Sequence, residues 1–339
     1  MAGGEWHTAI KPLQTEVDYV EKPFRIVRLL DCSTICGMQR SICTGHVSDR
    51  TNTYIYVTRW GGGDFTSRII ADGLTKIFGQ QVLVVNGPGL LQQERASQAP
   101  ADGYTLLLQQ SLFWLTPLLR KDAPFDPEKD FVPISITDTS PVILVVHPSV
   151  PAKSVGELIS LAKARPGELN FARASLGSPG HLATELFNYM AGVKMAVIPY
   201  KGGAGATMAV MSGEVHVAFV SLGAGRAMIS TKRLRGLGVS PLEPSPMFPE
   251  LPTLAAAGLP GFEVALTSGI FAPAGTPAPR IKRLREVIVQ YLSRAEVKER
   301  YMKAGVTAVG SSPEALDSLV KSDLAKWGKV FKAANIRPQ

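Results

Sequence analysis

Residues 53 to 86 spell a strand, a glycine turn, a helix and a second strand in unbroken succession, and a chain that keeps repeating this unit is committed to an α/β fold. "TYIYVTRW" is β-branched and aromatic, and "GGGD" is a turn. "FTSRIIADGLTKIFG" then sets Phe65, Ile69, Ile70, Leu74 and Ile77 on one helical face before Gly79 stops it. "QVLVVN" follows as the next strand. "YTLLLQ", "VILVVH" and "AVIPY" are short and apolar on both sides, the pattern of parallel strands covered by helices. "SVGELISLAKARPG" predicts a helix with Ser154 as N-cap, Glu157 completing a capping box, and Pro166 and Gly167 ending it. "GATMAVMSGEV" predicts another, ahead of the strand "HVAFVS". Near the end, Leu316, Leu319, Val320, Leu324, Trp327, Val330 and Phe331 form one apolar stripe, so this helix should dock on a lobe.

At 339 residues the chain is long enough for two lobes. "TSPVILVVHPSVP" and "EVALTSGIFAPAGTP" are strands bounded by Pro and Gly near the third points of the chain, and they suit lobe crossings. The turn signals then place one lobe at residues 53–140 plus 266–339 and the other at 141–265. Residues 1–52 lack the regular pattern and read as an atypical, poorly ordered lead segment.

Composition narrows the function. Lys and Arg number 36 against 28 Asp and Glu, a net charge of +8 that suits an anionic partner. The basic residues are interleaved with acids, as in "RIKRLREVIVQYLSRAEVKER", which argues against nucleic acid. The most apolar window, "LLLQQSLFWLTPLL", is broken by Gln109 and Gln110, so no membrane span is expected. Cys32, Cys36 and Cys43 all precede residue 45, and with His46 their spacing matches no standard zinc knuckle; neither metal nor disulfide is expected. The same segment lacks the basic start, apolar core and cleavage site of a secretory signal.

Two turns stand out as places to hold an anion. "NFARASLGSPGHLATELF", residues 170 to 187, leads from a strand into a helix through small residues and glycines, and "RWGGGDFT" has the same layout in the other lobe. A helix N-terminus offers unpaired N–H groups and the positive end of the macrodipole, and glycines let an anion approach them. Tight chain reversal alone also explains such turns. "YKGGAGA", residues 200 to 206, either lines the cleft or merely turns. Asp64 is expected to cap its helix through the amide of Ser67, with a ligand amino group as the alternative. Ser178, His181 and Glu185 share a helix face, but side chains lying side by side do not make a catalytic triad. His181 is expected near the ligand or hydrogen-bonded to the turn. There is no phosphate-binding loop, dinucleotide fingerprint, zinc-protease motif or nucleophile elbow, and no cofactor is expected.

Taken in order, "DGYTLLL", "FDPEKDFVPIS", "VILVVHPSVPAKSVGELISLAKARPGELNFA", "GSPGHLATELF", "IPYKGG", "FPELPTLAAAGLPGFE", "FAPAGTPAP" and "KWGKVFKAANIRP" resemble the Bug family, the tripartite tricarboxylate transporter substrate-binding receptors of bacteria. The resemblance covers roughly residues 55 to 339. It implies a two-lobed, type II periplasmic-binding-protein-like fold, each lobe a mostly parallel sheet flanked by helices, closing on a small carboxylate. It also implies a periplasmic location, membrane subunits of such a transporter as partners, and no enzymatic activity. Carried over by motif, the carboxylate is held mainly by backbone amides and waters at Trp60, Gly61, Gly62, Gly63, Asp64, Phe65 and Thr66 in one lobe and at Ser175, Gly177, Ser178 and His181 in the other; Arg59 is expected to join the first loop, and Ser111, Ser221, Thr267 and Ser268 to support the site.

The chain departs from the family pattern in several places. Arg59 and Trp60 stand where prolines are usual, adding a cation and an aromatic wall. Thr267 and Ser268 replace an aromatic pair, implying a roomier or more polar pocket. Arg173 replaces a small residue and could meet a second acid group or solvent. "GPGLLQQERASQAPADGY" is shorter than usual, and about 30 unfamiliar residues separate "VEKPFRIV" from "VTRWGGG", as an insertion or a displaced start would produce. Two other readings of the cleft stay open at this point, a carboxylate sensor and an enzyme. Aromatic acids, dicarboxylates and amino acids all remain as ligands, with Trp60 leaning toward a flat one.

Overall fold

The computed structural model describes residues 52–58, 62–87, 90–174 and 176–338, all within one compact unit, Asp49–Gln339. The chain starts with β1 (Asn52–Thr58), α1 (Gly62–Phe78), β2 (Gln81–Gly87), α2 (Leu91–Ser97), β3 (Thr105–Gln110) and α3 (Leu112–Leu119). The 16-residue β4 (Phe131–Val146) leads to α4 (Val155–Ala164), β5 (Asn170–Arg173), α5 (Pro179–Ala191), β6 (Ala196–Pro199) and α6 (Gly202–Ser212). After β7 (Val217–Ser221), α7 (Leu222–Ser230) and β8 (Arg235–Val239), the chain returns through β9 (Ala265–Pro273). It ends with α8 (Ala278–Leu292), α9 (Ala295–Lys303), β10 (Thr307–Ala308) and α10 (Pro313–Ala333).

The sheet runs β2-β1-β3-β9-β4-β7-β5-β6, with β8 and β10 also paired to β4. It has two halves. In the first, β1 is parallel to β2 and β3, while β9 and the front of β4 run antiparallel. In the second, β5 is parallel to β6 and β7, and the back of β4 pairs antiparallel with β7 and β8. The partner of β4 changes after Pro141: residues up to there pair with β9, and Val142 to Val146 pair with β7. Register shifts at Pro133/Ser135 and Ile136/Asp138 bend the strand just before that handover, as bulges do. β4 and β9 are therefore the shared spine of a curled, two-part sheet.

"VILVVH" was expected among the parallel strands, and the structure corrects this: its residues in β4 run antiparallel to every partner. Val142 to Val146 are all buried, and burial on both faces produces the same unbroken apolar run in either direction. The α4 cap forms as its spacing predicts, Ser154 Oγ accepting from the Glu157 amide while Glu157 Oε2 accepts from the Lys153 amide. The α10 stripe buries Leu316, Val320, Trp327, Val330 and Phe331. It packs on β4, α3 and α5, so it bridges both halves instead of docking on one. Cys32, Cys36, Cys43 and His46 lie outside the described residues, as does the rest of the lead segment up to Thr51.

Candidate functional site

The C-terminal ends of the parallel strands carry the turns singled out above, and each has its own local cause. α1 begins at Gly62, so two of the three glycines form its first turn instead of preceding it. Gly63 lies flat on the sheet: a Cβ there would stand 3.2 Å from Val57 Cγ2 and 3.5 Å from Leu108 Cδ2. The early start displaces Asp64 from the capping position. Its carboxylate takes Arg68 Nε at 3.1 and 3.0 Å and Asn86 Nδ2 at 2.7 Å, and Ser67 turns its hydroxyl to the Asp64 carbonyl. The expected cap on the Ser67 amide is thus replaced by an ion pair, and the Arg68 hydrogen bond holds the Asp64 carboxyl below its ordinary value. Phe65 packs edge-on against Tyr301, with centroids 5.7 Å apart. Arg59, Trp60, Gly61 and Ser175 lie outside the described residues.

The second turn is tied down from within. Ser178 caps α5 by accepting from the His181 amide at 3.3 Å, Pro179 follows at the first helical position, and Gly192 closes the far end in the left-handed conformation. His181 is buried, and its Nδ1 accepts from the Gly177 amide at 3.0 Å, which assigns the proton to Nε2 facing Glu185 Oε1 at 3.5 Å. Its ring stacks over Phe331 with centroids 6.4 Å apart. His181 is thus bonded to the turn, with both nitrogens committed to protein partners, and the Ser178 hydroxyl meets the His181 backbone instead of its ring. The Gly177 amide, one of the expected anion donors, is itself given to His181. Replacing Ser178 with alanine should lower the unfolding free energy by about 1 kcal/mol in a denaturant titration, the usual worth of a lost N-cap.

Gly177 brings the two sides together. It holds φ +75°, and a Cβ there would overlap Leu112 Cδ1 and approach Leu119 Cδ1 to 3.3 Å, so the β5–α5 turn rests directly on α3. A cavity of about 330 Å³ opens beside this contact, lined by Gly63 from α1 and Leu176 from the turn, with Leu108, Leu112 and Arg120 between them. The two expected loops therefore share one cavity. On the β10 side Gly305 packs on α7, where its Cβ would stand 3.2 Å from the Gly223 amide nitrogen. A larger cavity of about 680 Å³ lies there, lined by Thr139, Leu222, Thr267, Met302 and Thr307.

Among the expected residues described in full, Gly63 alone lines the first cavity; Asp64, Phe65, Thr66, Gly177, Ser178 and His181 stand around it without lining it, and the supporting residues lie elsewhere. Ser111 and Thr267 are buried, the Thr267 amide donating to Ser111 Oγ at 3.4 Å. Ser268 is buried too and donates to Asp138 Oδ2 at 2.9 Å. Ser221 is exposed and caps α7 through the Ala224 amide. Gly202 opens α6 at φ +75°, so "YKGGAGA" makes a tight reversal.

Sequence reasoning passed over Leu112, Leu176 and Arg120. Leu112, Thr116 and Arg120 recur at four-residue spacing, a helical signal hidden because the stretch read as one apolar run. It also passed over Asp138, a carboxyl buried at the bend of β4. Thr137 Oγ1 donates to it at 3.0 Å and Ser268 Oγ at 2.9 Å, and burial pushes its pKa up to about 6. Thr66 Oγ1 and the Tyr301 hydroxyl are buried beside it. Thr66 lies near enough to hold the Asp138 carboxyl down and to influence Tyr301, yet among the described residues neither hydroxyl has a partner in close hydrogen-bonding geometry. Desolvation raises Tyr301 far above its ordinary range.

The fold recurs in known proteins. The family model described as tripartite tricarboxylate transporter family receptor matches residues 66–336, starting at Thr66, past most of the first loop. The structure of R. palustris Rpa4515 with adipate is 33% identical, covers 85% of this chain and 99% of that one, and superposes with a TM-score of 0.72. The periplasmic binding protein BugD is 27% identical over 85% of this chain and 99% of its own, with a TM-score of 0.69. MatC from Rhodopseudomonas palustris, with bound malate, is 27% identical over 82% of this chain and 98% of its own, with a TM-score of 0.67. The divided sheet with its shared β4 and β9 is thus the two-lobed fold of periplasmic binding proteins. The chain belongs to the tripartite tricarboxylate transporter receptor family.

Proposed function

We propose that the chain is an extracytoplasmic solute receptor that binds a small carboxylate in the cavity between Gly63 and Leu176 and presents it to the membrane subunits of a tripartite tricarboxylate-type transporter. The observation that carries this reading is that the α1 end and the β5–α5 turn line one cavity, so a single guest can touch both halves of the sheet. Adipate in Rpa4515 and malate in MatC support an acid as that guest. The location proposed is the periplasm, in keeping with the relative BugD.

On this reading the lobes are residues 53–140 plus 266–339 and residues 141–265, and they hinge where β4 exchanges β9 for β7. The proposed ligand contacts are Arg59, Trp60, Gly61, Gly62, Gly63, Phe65 and Thr66 from the first loop and Ser175, Gly177 and Ser178 from the second. His181 acts behind them by fixing Gly177, and Ser111, Thr267 and Ser268 brace the crossing strands. A hydrogen bond to a charged acceptor contributes about 1.5 to 3 kcal/mol, so a few suffice for micromolar affinity at about 8 kcal/mol. Ligand that bridges both halves binds the closed state better, and that difference drives closure.

Thermal unfolding against a panel of carboxylic acids tests the reading. The expected result is a raised melting temperature with at least one acid, recovered unchanged by mass spectrometry; an acid at about 100 times its Kd adds about 2.7 kcal/mol. His181→Ala should lower stability and acid affinity together. An acid consumed by the protein, with that turnover lost and binding kept in His181→Ala, would overturn the receptor reading.

A further inference from the structure

The cavity that joins Gly63 to Leu176 is walled mainly by hydrocarbon. Val57, Leu108, Phe113 and Leu119 are its buried apolar lining, and Leu112 and Leu176 also line it while staying 41% and 37% exposed. Two leucines kept in contact with solvent at one cavity, from elements far apart in sequence, mark a surface that meets an apolar guest. Among the described residues the polar side chains in the lining are Gln93, Gln109, Gln110, Thr116 and Arg120. The Thr116 hydroxyl is given to the Leu112 carbonyl at 2.8 Å. Arg120, the one charged side chain among the described lining residues, holds Asp122 through Nε and Nη2, each at 3.0 Å.

A hydroxyl carried into the space between Leu112 and Leu176 would meet hydrocarbon there, away from any side-chain partner of its own on those two residues, and burying an unpaired hydroxyl is unfavourable. A hydrocarbon body does the opposite. Leu112 already rests on Gly177, so carbon filling the space between Leu112 and Leu176 extends the contact that α3 makes with the β5–α5 turn. The volume of about 330 Å³ lies at the small end of the ~300–1,000 Å³ range of ligand pockets, which suits a compact acid.

We infer that the site selects acids with an uninterrupted hydrocarbon body, an alkane chain or an aryl ring, over short hydroxy acids, and that Leu112 and Leu176 set this preference. The inference rests on the carboxylate reading of the cavity.

Isothermal titration of the full chain with succinate, adipate, benzoate and malate, at one pH and salt concentration, tests it. Each buried methylene is worth a factor of about four, so adipate should bind about fifteenfold tighter than succinate. Malate should bind about tenfold weaker than succinate, the factor expected for a hydroxyl left without a partner. Leu112→Asn and Leu176→Asn should each weaken adipate about tenfold and move succinate less than about threefold; both side chains are partly exposed, and the wild-type ratios stand on their own if either variant misfolds. Tight benzoate with weak adipate also supports the inference and assigns a ring. Malate binding as tightly as adipate and benzoate, or affinity indifferent to chain length, overturns it and leaves the carboxylate reading intact. Failure of all four acids to bind overturns both.

Discussion

Gly177→Ala is expected to lower the unfolding free energy by about 2 kcal/mol and to weaken acid binding at least tenfold, because one residue meets two separate demands. The first is conformational. At φ +75° a β-carbon clashes with its own backbone, which costs about 1 to 2 kcal/mol for an L residue outside glycine. The second is spatial. The new methyl would overlap Leu112 Cδ1, which can swing toward solvent, and press on Leu119 Cδ1 at 3.3 Å, which is buried and cannot. The turn must then lift off α3, and the cavity lined by Leu112 and Leu176 widens where a ligand would bridge it. A double-mutant cycle with Leu112→Ala separates the two demands. That background should recover a part of the loss, since it removes the nearer overlap, and should leave the backbone strain in place. Full recovery would show that strain contributes nothing, and no recovery that the Leu112 overlap does not matter.

The fold was readable where burial writes a period into the sequence and unreadable where it does not. The α10 stripe from Leu316 to Phe331 shows helical spacing because one face is buried, but a stripe does not say what covers it, and α10 turned out to bridge α3 and α5. β4 shows the complementary failure. Its second half is buried on both faces and carries no alternation, so strand was legible and direction was not. Its first half holds Pro133 and two register shifts, which break the alternation that would have extended the strand back to Phe131.

The candidate site divides along a similar line. Glycine-rich turns at strand ends were visible because the residue type itself encodes the reversal, and Gly63 and the Gly177 turn do meet at one cavity. Which amides those turns leave for a guest was not visible. That depends on Nδ1 of His181 claiming the Gly177 N–H, a contact fixed by the ring's packing against Phe331 some 150 residues along the chain. Asp64 failed for a smaller reason. A helix starting three residues early moved it from the cap into the first turn, where Arg68 lies one turn on.

Asp138 offers the second large effect, and its sign runs against the usual expectation for a carboxylate. Thr137 and Ser268 donate to it, but among the described residues no cation pairs with it, and desolvation outweighs the donors, leaving the folded pKa at about 6 against an ordinary 3.8. A raised folded pKa means that the folded protein holds this proton more tightly than the unfolded chain. The contribution of Asp138 is therefore most favourable below about pH 4, where both states are protonated, and is lost as pH rises toward and through 6. By pH 7.5 the buried charge costs about 3 kcal/mol, taking 1.36 kcal/mol per pKa unit. Asp138→Asn, like the protonated acid, keeps one acceptor oxygen, so one of the Thr137 hydroxyl (on Oδ1) and the Ser268 hydroxyl (on Oδ2) still donates while the other turns to accept from the new amide, whose second N–H is left for Thr66 Oγ1 beside it. The variant should match wild type near pH 4 and exceed it by about 3 kcal/mol at pH 7.5, measured by urea unfolding at each pH with m unchanged. A variant less stable than wild type at pH 7.5 would mean that the ionised carboxylate is held by the bend of β4 instead of merely tolerated there. The comparison also reaches the cleft, since Thr66 stands in the second turn of α1: neutralising the carboxyl beneath it should strengthen binding of an anion at that helix end, and the gain should disappear as the pH falls below 6 and the wild-type carboxyl becomes neutral too.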